Sequence, residues 1–156
     1  MKGKSEQYQI DMVIYTIGTS NRNLEEFIDI LKTYEISILL DVRSFPESSR
    51  FPWFNKEHLA SALIEHKINY IFLGPELGGY RKGGYEAYIK TEDFKKGLDK
   101  IEKIVSSNRS VIMCAEKLPE RCHRWFIAES LQDRGFKVFH IIDKDKTFSF
   151  YIFNNY

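Results

Sequence analysis

The chain has 156 residues, of which 43% are hydrophobic and 29% charged, and its formal net charge at pH 7 is +1. This length fits a single domain with a sizeable core, and the near-neutral charge disfavours a strongly basic nucleic-acid-binding face. Two cysteines are too few for a disulfide scaffold, and neither an apolar signal segment nor a run of roughly 20 apolar residues is present. We therefore expect a cytoplasmic protein without a membrane partner.

Five short apolar segments predict the strands of one sheet, at residues 13–17, 36–42, 69–73, 111–114 and 137–142. Amphipathic helical patterns lie between them. This alternation predicts an α/β fold, a three-layer open sheet of about five mostly parallel strands with helices on both faces. We expect residues 1–156 to form a single α/β domain, in which residues 143–156 add a C-terminal strand or extension that could pack against a second copy in a homodimer.

Capping residues and turn residues predict where the helices begin and end. Three helices are predicted to begin after the caps Asn23, Asn55 and Thr91. A fourth helix is predicted to start near residue 119 or 120 and to end at Gly135. Clustered glycine and proline predict that residues 74–84 form a loop.

Polar residues collect where the predicted strands end. The carboxyl ends of parallel strands share one edge of the sheet, and α/β proteins bind ligands there. Caps and turns would explain any one of these residues alone, but their convergence from four strands favours a functional cleft. The cleft is predicted to contain Thr19, Asn21, Asp41, Arg43, Glu76, Gly78, Gly79, Cys114, Glu116, His123 and Arg124.

Reactive side chains are densest between the fourth strand and the fourth helix. Cys114 ends the strand, and Cys122 follows after a polar loop. A nearby cation or helix N-terminus lowers the pKa of a thiol, although burial as a small hydrophobic residue is the commoner fate of a lone cysteine. We predict Cys114 as nucleophile or redox centre, with proton transfer by Glu116 or His123. The predicted catalytic residues are Cys114, Glu116, His123 and Asp41.

The remaining cleft residues are predicted to bind the substrate. Arg43 and Arg124 would hold a small anion, such as a phosphate-like or sulfate-like group, with help from backbone amides near residues 19–21. The predicted substrate-binding residues are Thr19, Asn21, Arg43, Glu76, Gly78, Gly79 and Arg124.

We expect no metal ion and no cofactor. Cys114, Cys122 and His123 lack the paired spacing of zinc sites, and adjacent residues on a helix point about 100° apart, which would keep Cys122 and His123 from sharing an ion. Reduced cysteines are therefore expected. The sequence leaves open whether Cys114 and Cys122 form a disulfide, which would require the two thiols to meet.

Six segments resemble, in order, the motifs of the domain-of-unknown-function family DUF488. They are YTIGTSN at 15–21, DVRSFP at 41–46, FNK at 54–56, ELGG at 76–79, MCAE at 113–116 and CHR at 122–124. The resemblance extends over residues 15–142 and implies the fold and the site described above, without implying a reaction. Thr19 departs from the family pattern, which has histidine at this point in many members.

A weaker resemblance concerns rhodanese-like domains. Residues 39–43 are similar to the aspartate-valine-arginine strand end of those proteins. The loop after Cys114 lacks glycine, however, and Glu120 stands where a cysteine phosphatase would carry arginine. A carboxylate there would repel a phosphate dianion. The resemblance therefore leaves sulfurtransferase activity open and disfavours phosphatase activity.

Two classes of function remain open from the sequence. The first is an enzyme that acts on a small anionic substrate with a cysteine in the strand-end cleft. The alternative is a nucleotide-binding or nucleic-acid-binding module that recognises phosphate without cysteine chemistry, with nucleic acid the less favoured partner. Such a binder needs the arginines but not the thiol.

Overall fold

The computed structural model describes residues 12–149. The strands form one sheet in the order β3-β2-β4-β1-β5-β6, with β1 to β5 parallel and β6 antiparallel to β5. Their bounds are β1 (Val13–Gly18), β2 (Ile38–Asp41), β3 (Asn69–Phe72), β4 (Ser110–Cys114), β5 (Lys137–Asp143) and β6 (Lys146–Phe148). The predicted α/β fold is confirmed, with one strand more than the five expected. Residues 150–156 of the predicted C-terminal extension lie outside the described residues.

Six α-helices connect the strands within the described residues. They are α1 (Leu24–Thr33), α2 (Lys56–Glu65), α3 (Gly74–Leu77), α4 (Tyr85–Tyr88), α5 (Glu92–Val105) and α6 (Arg124–Asp133). Two 3-10 turns, Pro52–Phe54 and Pro119–Arg121, precede α2 and α6. Between residues 12 and 149 no helix has the length and apolarity needed to cross a membrane.

Two apolar cores lie on opposite faces of the sheet, because successive side chains of a strand point to opposite sides. On one face Ile17 and Val111 pack with residues of α1 and α2. On the other face Ile14 and Ile112 pack with residues of α5 and α6. The structure therefore has the three predicted layers.

The loops after the adjacent strands β1 and β4 lead to helices on opposite faces, which is where a ligand crevice forms in sheets of this kind. Here the crevice is closed by backbone contacts. The amides of Thr19 and Ser20 donate to the carbonyls of Cys114 and Ala115, both at 2.8 Å. A side chain at Gly18 would place its Cβ 1.8 Å from the carbonyl oxygen of Glu116. The two loops therefore leave no open space between them at this junction.

Two predicted boundaries are wrong. The predicted loop at residues 74–84 begins with the helical turn α3, because Pro75 fits the first turn of a helix. The fourth helix begins at Arg124 rather than at 119 or 120. The intervening Pro119–Arg121 turn is followed by Cys122 in an extended conformation, with φ −134° and ψ 149°. Cys122 therefore lies before the helix and not on it.

The first helix offers a direct test of the capping interpretation. The side-chain oxygen of Asn23 accepts the amide of Glu26 at 2.7 Å, whereas that of Asn55 accepts the amide of Ser48 instead of capping α2. We expect Asn23→Ala to lower the free energy of unfolding by about 1 kcal/mol in urea, because one helix amide loses its acceptor. Asn23→Asp keeps the acceptor and should cost less. Equal losses for the two variants would contradict the assignment.

Candidate functional site

Three side chains converge on the side of the sheet covered by α5 and α6. The Sγ atoms of Cys114 and Cys122 and Nδ1 of His123 lie within 4.8 Å of one another. Nδ1 is 3.7 Å from each sulfur. Cys114 is buried, while Cys122 and His123 are partly exposed. We call these three residues the thiol–imidazole cluster.

The ring of His123 is fixed in one orientation. Its Nε2 lies 2.7 Å from the carbonyl oxygen of Val42, and a carbonyl can only accept a hydrogen bond. Nε2 therefore carries the proton of the neutral ring, and the lone pair of Nδ1 faces the two sulfurs. Gly79 lies against the ring, because a Cβ there would be 2.5 Å from Nδ1, and the ring of Tyr85 lies at a centroid distance of 5.2 Å.

Cys122 is the thiol whose ionised form the protein stabilises. Its pKa is lowered, first by the neighbouring thiol of Cys114, then by the imidazole of His123, which donates to the thiolate once Nδ1 carries a proton, and by the positive charge of Arg124. The amide of Arg124, at the start of α6, also donates to Cys122 Sγ at 3.5 Å. The pKa of Cys114 is raised, by the hydrogen bond to Cys122 and by burial. These opposite shifts favour Cys122 as the more readily ionised thiol, and the nucleophilic role of Cys114 stays a prediction.

The side chain of Arg124 is fully buried and its donors are used inside the protein. Nε donates to Thr16 Oγ1 at 3.2 Å, while Nη1 and Nη2 donate to the carbonyls of Glu116 and Lys117 at 2.7 and 3.1 Å. Among residues 12–149 no carboxylate forms an ion pair with Arg124. Its buried charge therefore favours a negative charge nearby, such as the thiolate of Cys122.

The other predicted anion-binding arginine, Arg43, is paired with Asp41. Its Nε and Nη2 donate to the two carboxylate oxygens at 2.9 and 2.8 Å, and the hydroxyl of Tyr70 donates to the same carboxylate. Asp41 is completely buried. Both guanidinium groups therefore already bond to protein groups. Binding of one anion by Arg43 and Arg124 together stays a prediction.

Most other predicted site residues contribute no side chain to the cluster. Glu76 pairs with Lys100 of α5, and the side chain of Glu116 is exposed. Asn21 is also exposed. The remaining two have backbone or packing roles: the amide of Thr19 bonds to Cys114, and a Cβ at Gly78 would meet Ser44 Oγ at 2.4 Å.

The structure adds three participants to the predicted site, namely Cys122, Val42 and Tyr85. Cys122 is adjacent to His123 in sequence, but a helical backbone at this point would have turned the two side chains apart. Val42 lies within the DVRSFP motif but contributes only its backbone carbonyl oxygen, while Tyr85 contributes an aromatic ring from outside the six motifs. Their roles depend on tertiary packing.

The expectation that the side chains of Cys122 and His123 point about 100° apart, and so cannot share a metal ion, is also wrong. Because Cys122 is extended and His123 begins the helical conformation, with φ −61° and ψ −19°, adjacent donors turn toward the same point. The three donor atoms are close enough together to hold one ion. Within the described part of the chain this group supplies three ligands, fewer than the four of a closed structural zinc site.

A family profile, the domain of unknown function DUF488, matches residues 23–131. The chain belongs to this family. The matched region includes all three members of the thiol–imidazole cluster, whereas Thr19 and Asn21 precede it. No curated protein and no solved structure gives a significant match to the chain. DUF488 membership thus supports the family assignment made from the six motifs and leaves the reaction to be argued from the site.

A buried polar chain lies beneath the cluster. Thr16 Oγ1 accepts from Arg124 and lies 2.6 Å from Nδ1 of His140, which stacks on Trp125 at a centroid distance of 5.5 Å. Burial, and then the charge of Arg124, lower the pKa of His140 to about 3. The ring is therefore neutral in the folded protein at all moderate pH values.

This buried histidine predicts a loss of stability in mild acid. The unfolded chain binds a proton at His140 below pH 6.5 and the folded protein does not, so the stabilisation is complete above pH 6.5 and falls as the pH falls toward 3. Lowering the pH from 7 to 5 should therefore reduce the free energy of unfolding by about 2 kcal/mol through His140 alone. Urea unfolding of the wild type and of His140→Gln, which cannot titrate, measures the difference. Parallel pH profiles would contradict it.

The contact between Gly79 and His123 predicts a coupled pair of substitutions. Gly79→Ala places a methyl group against the imidazole and should cost about 1–3 kcal/mol of unfolding free energy through overpacking. In a His123→Ala background the ring is absent, so the same substitution should cost much less. A cost of Gly79→Ala that does not depend on His123 would show that backbone strain, and not the ring, explains the glycine.

Proposed function

We propose that this DUF488 protein is an enzyme that acts on a small anionic substrate through the thiolate of Cys122. The observation that carries the proposal is the position of Cys122 Sγ, which accepts the first amide of α6 and lies beside the imidazole of His123. The thiolate is the nucleophilic form of cysteine, and helix N-termini and nearby cations stabilise it. The proposal places the nucleophile at Cys122 rather than at the more deeply buried Cys114.

The other members of the cluster have complementary roles. The Cys114 thiol lies within 4.8 Å of the Cys122 sulfur and 3.7 Å from His123 Nδ1, so it adds a second proton donor beside the proposed nucleophile. The free lone pair of His123 Nδ1, 3.7 Å from Cys122 Sγ, can take a proton and return it to a leaving group. The corresponding reaction class is transfer of a group from the substrate to Cys122, followed by its release to an acceptor.

The buried charge of Arg124 supports an anionic substrate. When Cys122 attacks and its negative charge moves to the substrate, Arg124 still lacks a carboxylate partner among residues 12–149. An anionic group near the cluster would offset that charge. A phosphate-binding module without thiol chemistry has less support, because Asp41 already pairs with Arg43.

The test compares two alkylating reagents of different charge. We expect iodoacetamide to label Cys122 about tenfold or more faster than Cys114 at pH 7, since thiolate content controls the rate. Cys114→Ser and Cys122→Ser form the matched pair of variants, and peptide mass spectrometry locates the label. The rate ratio of iodoacetate to iodoacetamide should exceed that of free cysteine, because the local positive charge favours the anionic reagent.

Each arm has an outcome that contradicts one part of the proposal. Labelling of Cys122 no faster than a free thiol would overturn its role as nucleophile. Stoichiometric zinc in protein purified without reductant would assign the thiols as metal ligands and would have the same consequence. An iodoacetate-to-iodoacetamide rate ratio equal to that of free cysteine would contradict an anionic substrate. It would not contradict an enzyme that uses the Cys122 thiolate.

A further inference from the structure

Cys114 is a second thiol placed beside the proposed nucleophile, where a hydroxyl would serve equally well as a hydrogen-bond donor. We infer that Cys114 is a resolving thiol, which forms an intramolecular disulfide with Cys122 after a two-electron oxidant of thiolates has reacted at Cys122. The oxidant is a hydroperoxide or a small disulfide. This inference rests on the proposed function, because it uses the same Cys122 thiolate, and it adds a redox reaction of that site.

The two sulfurs are within reach of each other. Their separation is at most 4.8 Å, and a disulfide requires about 2.05 Å, so roughly 3 Å of movement closes the bond. Cys114 is held at the end of β4, where its carbonyl accepts the amide of Thr19. Cys122 is extended and lies between the 3-10 turn and α6, so no intrahelical hydrogen bond of its own holds it in place during that movement.

Exposure sets the order of the two reactions. Cys114 is only 7% exposed, whereas Cys122 is partly exposed. Cys122 is therefore the more accessible residue of the two, although as a candidate metal ligand it is buried like Cys114. The adduct then formed on Cys122 lies beside one thiol of the same chain, and attack by that thiol competes with any reaction from solution because the two groups are already adjacent.

With a hydroperoxide, the Cys122 thiolate attacks one peroxide oxygen. The O–O bond breaks, Cys122 becomes a sulfenic acid, and the alkoxide or hydroxide that leaves takes a proton from water. The proton of Cys114 passes to His123 Nδ1, which lies 3.7 Å from its sulfur. Cys114 sulfur then attacks Cys122 sulfur, the S–S bond forms, and hydroxide leaves with the proton from Nδ1 as water.

With a small disulfide, the Cys122 thiolate attacks one sulfur and releases the other half as a thiolate. Cys114 then displaces the second half from Cys122, and His123 transfers the proton of Cys114 to the departing thiolate. In both cases two protein thiols are oxidised by two electrons in total. The oxidant is reduced to an alcohol or water in the first case and to two thiols in the second.

The experiment exposes the full chain, as purified and metal-free, to one equivalent of hydrogen peroxide or of oxidised glutathione. We expect both thiols to be lost together and the mass to fall by two hydrogens, with one intramolecular disulfide located by peptide mapping. In Cys114→Ser, peroxide should leave a sulfenic acid on Cys122 that dimedone traps, and oxidised glutathione should leave a stable mixed disulfide. Cys122→Ser should lose its remaining thiol at least tenfold more slowly.

The outcomes separate this inference from the proposed function. If wild-type Cys122 carries a sulfenic acid or a mixed disulfide while Cys114 still titrates, the resolving role is overturned and the thiolate enzyme stands. If Cys122 reacts with neither oxidant and resists alkylation, both proposals are overturned. A disulfide linking two chains also overturns the inference. Formation of the Cys114–Cys122 disulfide with only one of the two oxidants supports the inference and identifies which class of oxidant reacts with the protein.

Discussion

The buried guanidinium of Arg124 is the interaction on which the site depends. It bonds to the hydroxyl of Thr16 in β1 and to two carbonyls of the loop that follows β4. Those bonds fix the path of the chain between Cys114 and Cys122, and the amide of the same residue bonds to Cys122 sulfur. One residue thus joins the central strand, the loop and the start of α6, and its charge acts on the thiols it positions. Removing it would disturb the fold and the geometry of the thiol–imidazole cluster together.

The junction of β1 and β4 explains why the site lies to one side of the expected crevice. Gly18 packs so closely against the loop after β4 that a ligand has no room between them. The cluster instead forms where β2 and β4 end beneath α6. Val42 comes directly after β2, and its carbonyl oxygen accepts a hydrogen bond from His123 Nε2, on the side of the ring opposite to the sulfurs. The cluster therefore lies at the edge of the sheet that the strand-end rule indicates, but away from the junction of β1 and β4.

The sequence predicts the layers of this fold well, because long apolar runs and amphipathic helices are set by local composition. It predicts the cluster incompletely, since the decisive feature is the backbone of a single residue. The usual helix-start signals predict a helix that begins near Pro119. They do not predict that Cys122 is extended between a 3-10 turn and a later helix. Arg43 pairs with Asp41, only two residues earlier in the chain, and its role in binding an anion stays a prediction. Periodicity carries no information about which partner a buried charge selects.

The bond from His123 to the carbonyl of Val42 has a consequence for the reorganisation energy of proton transfer. An imidazole that gains a proton at Nδ1 becomes a cation with two donors, and its Nε2–H still points at the same carbonyl oxygen. The ring need not rotate, change partner or recruit water when its charge changes. Gly79 and Tyr85 close the space in which it could move. A base held in this way can cycle between its two charge states in a fixed frame, so that little of the barrier to proton transfer arises from rearranging its surroundings.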